Sequence, residues 1–325
     1  MILPASSDGI ARAAKALRDG SVVAFGTETV YGLGALAANA TAVDAIFTLK
    51  QRPQQNPLIC HVDGRDMAET IARVDARAAM VMGEFWPGPL TLILPQRDDA
   101  PLAKAATAGL PSVAVRAPAH GTARELISAV GAPLVAPSAN KSGRLSPTTA
   151  AMVADGFRGE IDYVLSGGKC EIGLESTVLD LSGTTPTILR LGAVTADDLA
   201  HLLPDIASVD TVEDTAPRSP GQMLRHYAPS LPLRINVRDA VAADEAYIGF
   251  GPNPFPAKGG AVRVNLSKVG DLDQAARNLF ATLREVEESG AKAIAVAPIP
   301  EHGIGAAIND RLRRAAAATA EFAND

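Results

Sequence analysis

Polar side chains able to hold an anion or a small hydroxylated molecule recur where hydrophobic runs of this chain stop. Val22–Phe25 opens onto Gly26-Thr27-Glu28-Thr29-Val30-Tyr31-Gly32-Leu33-Gly34, and glycine lets the main chain approach a ligand closely at such a point. Leu58–Val62 contains His61, Ser112–Arg116 ends in Arg116, Leu134–Ala136 delivers Pro137-Ser138-Ala139-Asn140, and Ser176 opens the run from Thr177. Ligands of α/β proteins bind at sheet ends, so these tips are expected to converge on one small-molecule mouth. Lys50 and Arg52 stand where Pro53 ends a helix. They add two cations of the kind an ATP phosphate tail requires, assisted by Mg²⁺. A dipole contact at a solvated helix end is the competing account of that pair, as helix capping is for Ser138 and Asn140.

Other chemistries find less support. Gly32-x-Gly34-x-x-Ala37 with Asp44 mimics a dinucleotide fingerprint, but the glycines lie well beyond the strand tip and Asp44 comes too soon. Gly167-Gly168-Lys169 lacks the spacing and hydroxyl of a P-loop, and no Gly-x-Ser-x-Gly elbow surrounds Ser138, Ser146 or Ser176. His61, His120, His201, His226 and His302 show no metal spacing, and no protein side chains are assigned to a metal. Cys60 and Cys170 form neither a CxxC pair nor a disulfide framework. His226 and Tyr227 sit in a Pro-framed stretch too polar for a core, which reads as a lid over a ligand or as plain exposed surface.

Those groups need elements to hold them. A helix is expected over Ile10–Arg18, capped by Ser7 or Asp8, and another after Asn39 or Thr41 with Val43, Ile46, Phe47 and Leu49 at helical spacing. Strands are expected at 58–62, 90–94, 112–116, 134–136, 163–165, 177–181 and 188–191, with helices before Phe85, at 122–130, starting at Ser146-Pro147-Thr148 with the proline in its first turn, and at 196–203. From 204 to 232 prolines, glycines and acidic residues read as a linker. Beyond it, strands at 233–237, 246–250, 261–264 and 293–298 alternate with helices at 272–288 and 304–318, a small α/β domain with a parallel sheet. The expected division is therefore 1–203, a linker at 204–232, and 233–325. With 325 residues, 47% hydrophobic and 20% charged, the chain can bury two cores. A net charge of −6 disfavours an extensive nucleic-acid footprint. Without a signal-peptide pattern or an apolar run of about 18 residues, a soluble cytoplasmic protein is expected.

Seven motifs occur in order: Thr27–Gly34, Lys50-x-Arg52-Pro53, Asn56-Pro57-Leu58-Ile59-x-His61, Trp86-Pro87-Gly88-Pro89-Leu90-Thr91, Ser112–Arg116-x-Pro118, Ala136–Asn140 and Glu175-Ser176-Thr177. Together they closely resemble the YrdC-type threonylcarbamoyl-adenylate synthases. Pro220–Met223, His226–Pro229 and Gly303-Ile304-Gly305 through Asp310-Arg311 resemble the long two-domain branch. Gly26, where proline is common, and Cys60, where an aliphatic residue is common, are mild departures.

The resemblance implies a twisted mixed α/β domain with a concave site, followed by a smaller Rossmann-like domain. It implies that L-threonine, bicarbonate and ATP, with Mg²⁺, give threonylcarbamoyl-AMP and pyrophosphate. Separate partner proteins would transfer the product to tRNA. By position, ATP is expected on Lys50, Arg52, Ser112, Ser138, Asn140, Ser146 and Arg190, with His226 and Tyr227 closing over it. Lys50 and Arg52 are the expected catalytic pair. Threonine is expected on Thr27, His61, Arg116, Ser176 and the backbone of Ala136, with the planar fork of Arg116 on its carboxylate. Two rivals are an RNA-binding protein without catalysis, which the net charge disfavours, and carbamoyl transfer to another acceptor.

Overall fold

The computed structural model describes residues 1–208, 227–253 and 259–320. These divide into two compact units: 1–142, 147–171 and 175–208 form the first, while 143–146, 172–174, 227–253 and 259–320 form the second.

The first unit is organised by one mixed sheet. Its strands are β1 (Ile2–Leu3), β2 (Val23–Phe25), β3 (Gly32–Leu36), β4 (Ile59–His61), β5 (Leu90–Pro95), β6 (Ser112–Arg116), β7 (Leu134–Val135), β8 (Tyr163–Leu165), β9 (Thr177–Asp180), β10 (Thr187–Arg190) and β11 (Ala207–Ser208). They lie in the order β1-β8-β2-β3-β7-β4-β6-β5-β9-β10-β11. Its helices are α1 (Ser7–Arg18), α2 (Ala40–Lys50), α3 (Arg65–Glu69), α4 (Ala76–Phe85), α5 (Gly121–Val130), α6 (Ala150–Phe157) and α7 (Ala196–Leu199).

Helix α1 forms because Ile10, Ala13, Ala14 and Leu17 make one apolar stripe and the Ser6 side chain accepts a hydrogen bond from Gly9 N–H. That stripe packs with Leu126 and Ile127 of α5 against Val23, Phe25 and Leu165. A larger core takes Val43, Ile46 and Phe47 of α2, Val81 of α4, and Cys60, Leu92, Val113 and Val115 from the strands. Alternation then turns Ile59, Ile93, Ala114, Val178 and Leu189 to the other face, where they form a small apolar cluster of their own.

Several expectations change. Gly32–Leu36 is not a loop but the strand β3, antiparallel to β2 with Phe25 opposite Gly32. Leu33 and Ala35 bury in the core, while a Cβ on Gly34 would lie 2.6 Å from the Phe25 ring. That glycine answers to packing. The helix expected from Ser146 begins only at Ala150, because Thr149 supplies the cap by accepting from Met152 N–H. Asn39, not Thr41, caps α2, and α7 ends at Leu199 rather than Leu203.

In the second unit β12 (Leu233–Arg234), β13 (Glu245–Gly249), β14 (Val262–Asn265) and β15 (Ala293–Val296) form a parallel sheet in the order β12-β15-β13-β14. Helices α8 (Leu272–Glu288) and α9 (Ile304–Ala320) accompany it, and the Asp271 carboxylate caps α8 through Asp273 and Gln274 N–H. The parallel α/β pattern expected for this region is present. Tyr227, however, is not too polar for a core. Its ring is buried, stacked on Phe280 at 5.7 Å between centroids, with the Arg311 guanidinium 4.9 Å above it. Truncating this ring (Tyr227→Ala) is expected to cost about 3 kcal/mol, read as a lower denaturant midpoint, whereas Tyr227→Phe keeps the stack and should cost under about 1.5 kcal/mol.

Candidate active site

Arg116, the last residue of β6, is held through three side-chain hydrogen bonds. Its guanidinium is buried and donates from Nη2 to Glu28 Oε1 at 2.6 Å, from Nη1 to Thr29 Oγ1 at 2.8 Å and from Nε to the Gly88 carbonyl at 3.2 Å. Burial, the largest influence, pushes the Glu28 carboxyl up, but the charge of Arg116 together with hydrogen bonds from Arg116 and from the Ala119 and Glu28 backbone holds the group below its ordinary value. The pair is therefore ionised. Gly88 reaches Arg116 from the Trp86–Pro89 turn, where a Cβ would collide with the Phe85 carbonyl at 2.2 Å. Three of the five guanidinium N–H groups are engaged among the described residues, which leaves two to receive a carboxylate.

His61 pairs in register with Arg116 across β4 and β6. Its Nδ1 faces the Ile59 carbonyl at 3.3 Å, so the ring proton sits there and Nε2 is left as an acceptor. Burial first, and then the neighbouring charge of Arg116, bring its pKa down to about 3 from the usual 6.5. A histidine depressed in the fold stabilises it above pH 6.5 and loses that contribution as pH falls towards 3. Wild-type protein should thus lose stability across that window with a slope up to one proton steeper than His61→Gln, measured by urea unfolding at a series of pH values.

Lys50 ends α2 and is 1% exposed. Its Nζ donates to the Ser138 and Asn140 carbonyls, each at 2.6 Å. Burial, followed by the charge of Arg52, depresses its pKa well below that of an ordinary lysine, while Glu175 acts the other way. Arg52 donates to the carbonyls of Asn56 at 3.2 Å and Pro57 at 2.9 Å. Neither cation lies on a solvated helix end. Lys50 braces the turn that carries Ser138 and Asn140, and Arg52 braces the turn that leads into the strand of His61.

On the next strands Ser176 Oγ lies 2.8 Å from Thr91 Oγ1, and Arg190 donates to the Ser176 carbonyl at 3.0 Å and to its Oγ at 3.2 Å. Arg190, expected with ATP, is thus joined to Ser176, expected with threonine. Ala136 N–H is taken by the Ile59 carbonyl.

The tips do not share one row of strand ends. Ser112 and Arg116 open and close β6, four residues apart, yet alternation sets both on the face that carries Ala114. The candidate site therefore lies across a sheet face. Thr27 is also engaged by its own loop: its hydroxyl donates to the Val30 carbonyl at 2.7 Å and accepts from Thr29 and Val30 N–H. It shapes the loop, and the neighbouring Glu28 and Thr29 reach Arg116 instead. Those two, with Thr91, were not singled out from the sequence. The available signal was an acid and a hydroxyl directly after a buried strand. Ser146 and Tyr227 are buried in the second unit, and His226 lies outside the described residues.

Against known proteins, the Sua5/YciO/YrdC family profile, described as telomere recombination, matches residues 15–192. A second profile, the threonylcarbamoyl-AMP synthase C-terminal domain, matches residues 194–317. The chain belongs to the Sua5/YciO/YrdC family. It is 40% identical over 321 residues to the threonylcarbamoyl-AMP synthase of Pyrococcus abyssi, covering 93% of this chain and 92% of that protein. Identity is also 40% to the Bacillus subtilis threonylcarbamoyl-AMP synthase, over 94% and 92% of the two chains. The crystal structure of P. abyssi Sua5 complexed with L-threonine superposes with a TM-score of 0.88 at 34% identity, covering 98% of each chain. E. coli YciO, at 22% identity and a TM-score of 0.54 over 60% of this chain, shares the fold. The family resemblance and the two-part α/β fold expected from the motifs are both borne out. No helix among the described residues is long and apolar enough to cross a membrane.

Proposed function

We propose that this family member is a threonylcarbamoyl-AMP synthase, which converts L-threonine, bicarbonate and ATP into threonylcarbamoyl-AMP and pyrophosphate. The observation that carries the reading is likeness along nearly the whole chain to proteins of that name, one of them seen with L-threonine bound. Neither RNA binding without catalysis nor carbamoyl transfer to another acceptor draws support from those relatives. The product would pass to separate tRNA-modifying partners in the cytoplasm.

Arg116 receives the threonine carboxylate on its two remaining N–H groups, held in place by Glu28, Thr29 and Gly88. Ser176, braced by Thr91 and Arg190, and the neutral His61 supply polar contacts that suit a hydroxyl amino acid. The threonine amine adds to the carbon of bicarbonate and water leaves, giving a carbamate whose oxygen attacks the α-phosphorus as pyrophosphate leaves. The chain contributes positioning and positive charge from Lys50 and Arg52 rather than a covalent intermediate. Among the described residues no group of three or more His, Cys, Asp or Glu side chains could hold a metal ion. Mg²⁺ accordingly enters the proposal only on the phosphates of ATP.

Pyrophosphate release is the test. It should require both threonine and bicarbonate. A site that hydrogen-bonds the substrate hydroxyl should reject 2-aminobutyrate by about 10⁴-fold, yet discriminate against serine, which lacks one methyl, by only about 10–200-fold. Equal turnover of 2-aminobutyrate and threonine would rule out the assigned pocket.

A further inference from the structure

Strand β5 runs Leu90-Thr91-Leu92-Ile93-Leu94 to its closing proline, with one hydroxyl among apolar side chains. Leu90, Leu92 and Leu94 enter the main core, and Ile93 joins the small cluster on the opposite face. Alternation sets Thr91 on the face of Ile93, which Arg116 shares. Thr91 is 0% exposed. Valine would suit packing and strand geometry there, so the buried hydroxyl calls for a partner. That partner is Ser176 Oγ at 2.8 Å, and Thr91 Oγ1 has no other among the described residues.

Two hydroxyls share this contact, but only one proton can lie in it. Ser176 Oγ also receives Arg190 Nη2 at 3.2 Å, and a guanidinium only donates. If Ser176 gave its proton to Thr91, the Thr91 proton would be stranded inside the sheet with no acceptor among the described residues. If Thr91 gives its proton instead, Ser176 Oγ accepts twice, from Thr91 and from Arg190, and keeps its own proton. Ser176 stands just before β9, at a position assigned to threonine, so a substrate oxygen is available to that proton.

We propose that Thr91 is a positioning residue: by donating to Ser176 Oγ it turns the Ser176 proton towards bound threonine, so that Ser176 donates to an oxygen of the substrate. This rests on the placement of Ser176 in the proposed reaction and extends it. Thr91 acts through Ser176 and touches no substrate atom. With both of its lone pairs engaged, Ser176 Oγ cannot receive an N–H from the substrate amine. The amine therefore stays uncommitted at Ser176 and open to bicarbonate.

Threonine affinity is measured by calorimetry on the full chain without ATP, and pyrophosphate release gives kcat and KM beside it. Thr91→Val keeps the shape and removes the hydroxyl. It should weaken threonine binding and raise the threonine KM by about 3–10-fold, with kcat within about twofold of wild type. Thr91→Ser keeps the hydroxyl and loses a methyl, so its threonine affinity should stay within about twofold of wild type. A packing role would reverse that order. In a Ser176→Ala background, Thr91→Val should add less than about twofold, because the two hydroxyls act as one unit. If Thr91→Val fails to fold, Thr91→Ala, which differs from Thr91→Ser by the hydroxyl alone, carries the comparison. Unchanged or tighter threonine binding in folded Thr91→Val would overturn the proposal, since it would mean that Thr91 had been holding the Ser176 proton. Equal losses in Thr91→Val and Thr91→Ser, or an undiminished loss in the Ser176→Ala background, would overturn it as well. A wild-type protein that binds no threonine would overturn it together with the reaction. Threonine binding that Thr91→Val weakens, in a protein that releases no pyrophosphate, would support the proposal and count against the reaction alone.

Discussion

Lys50→Ala is expected to lower turnover at saturating ATP and threonine by at least about 100-fold. The effect has two origins, and a second variant separates them. In the native chain the ammonium holds the Ser138 and Asn140 carbonyls, so its removal takes a charged donor from both and leaves a void beneath the turn. Each lost contact costs about 1–3 kcal/mol. The expense of burying the ammonium, visible in its depressed pKa, returns part of that. A net destabilisation of about 2–3 kcal/mol is expected, enough to lower the urea midpoint while leaving the protein folded. Lys50→Met fills the void without supplying a donor or charge, so it should recover much of the stability and little of the activity. If Lys50→Met turned over within tenfold of wild type, the ammonium would be a packing element only, and its proposed action on the triphosphate would be wrong.

Arg116→Ala should raise the threonine concentration needed for half-maximal rate by about 100-fold or more and leave ATP binding measurable by calorimetry. The size follows from the environment. Breaking one side of a buried, hydrogen-bonded charge pair typically costs about 3–5 kcal/mol, because the remaining charge stays desolvated. Glu28 is left in that position, and its carboxyl should then rise towards or above its ordinary pKa, since burial would act without the compensating guanidinium. Arg116→Lys retains a charge but not a planar fork able to meet Glu28, Thr29 and Gly88 together, so an intermediate defect of about tenfold is expected. A folded Arg116→Ala protein that binds threonine normally but has lost ATP would reverse the assignment.

The family was legible because the motifs are local: each combines residue types whose order along the chain is itself the signal. The helices were legible for a similar reason. Leu272–Glu288 was placed to the residue, since a 17-residue amphipathic segment with an aspartate before it has little else to become. Bounds failed where a cap three residues away competed, as Thr149 did with Ser146.

Residue chemistry along the chain determined the family, the alternation of helices and strands, and the set of polar groups from which a site could be made. Tertiary structure alone decided what those groups do to one another. The glycines of β3 looked like an approach for a ligand, and the Phe25 ring explains one of them instead. Thr27 looked like a ligand hydroxyl, and the loop engages it. Glu28 lies 88 positions from Arg116, as does Lys50 from the Ser138 carbonyl. Pairings at such separations depend on strand order and register, which place β4 between β7 and β6. Period-two alternation then sets Ser112 and Arg116 on a shared face, although they stand at opposite ends of their strand. Hydrophobic pattern dictates that alternation within each strand, but which strands become neighbours is settled only when the separate apolar faces are buried together.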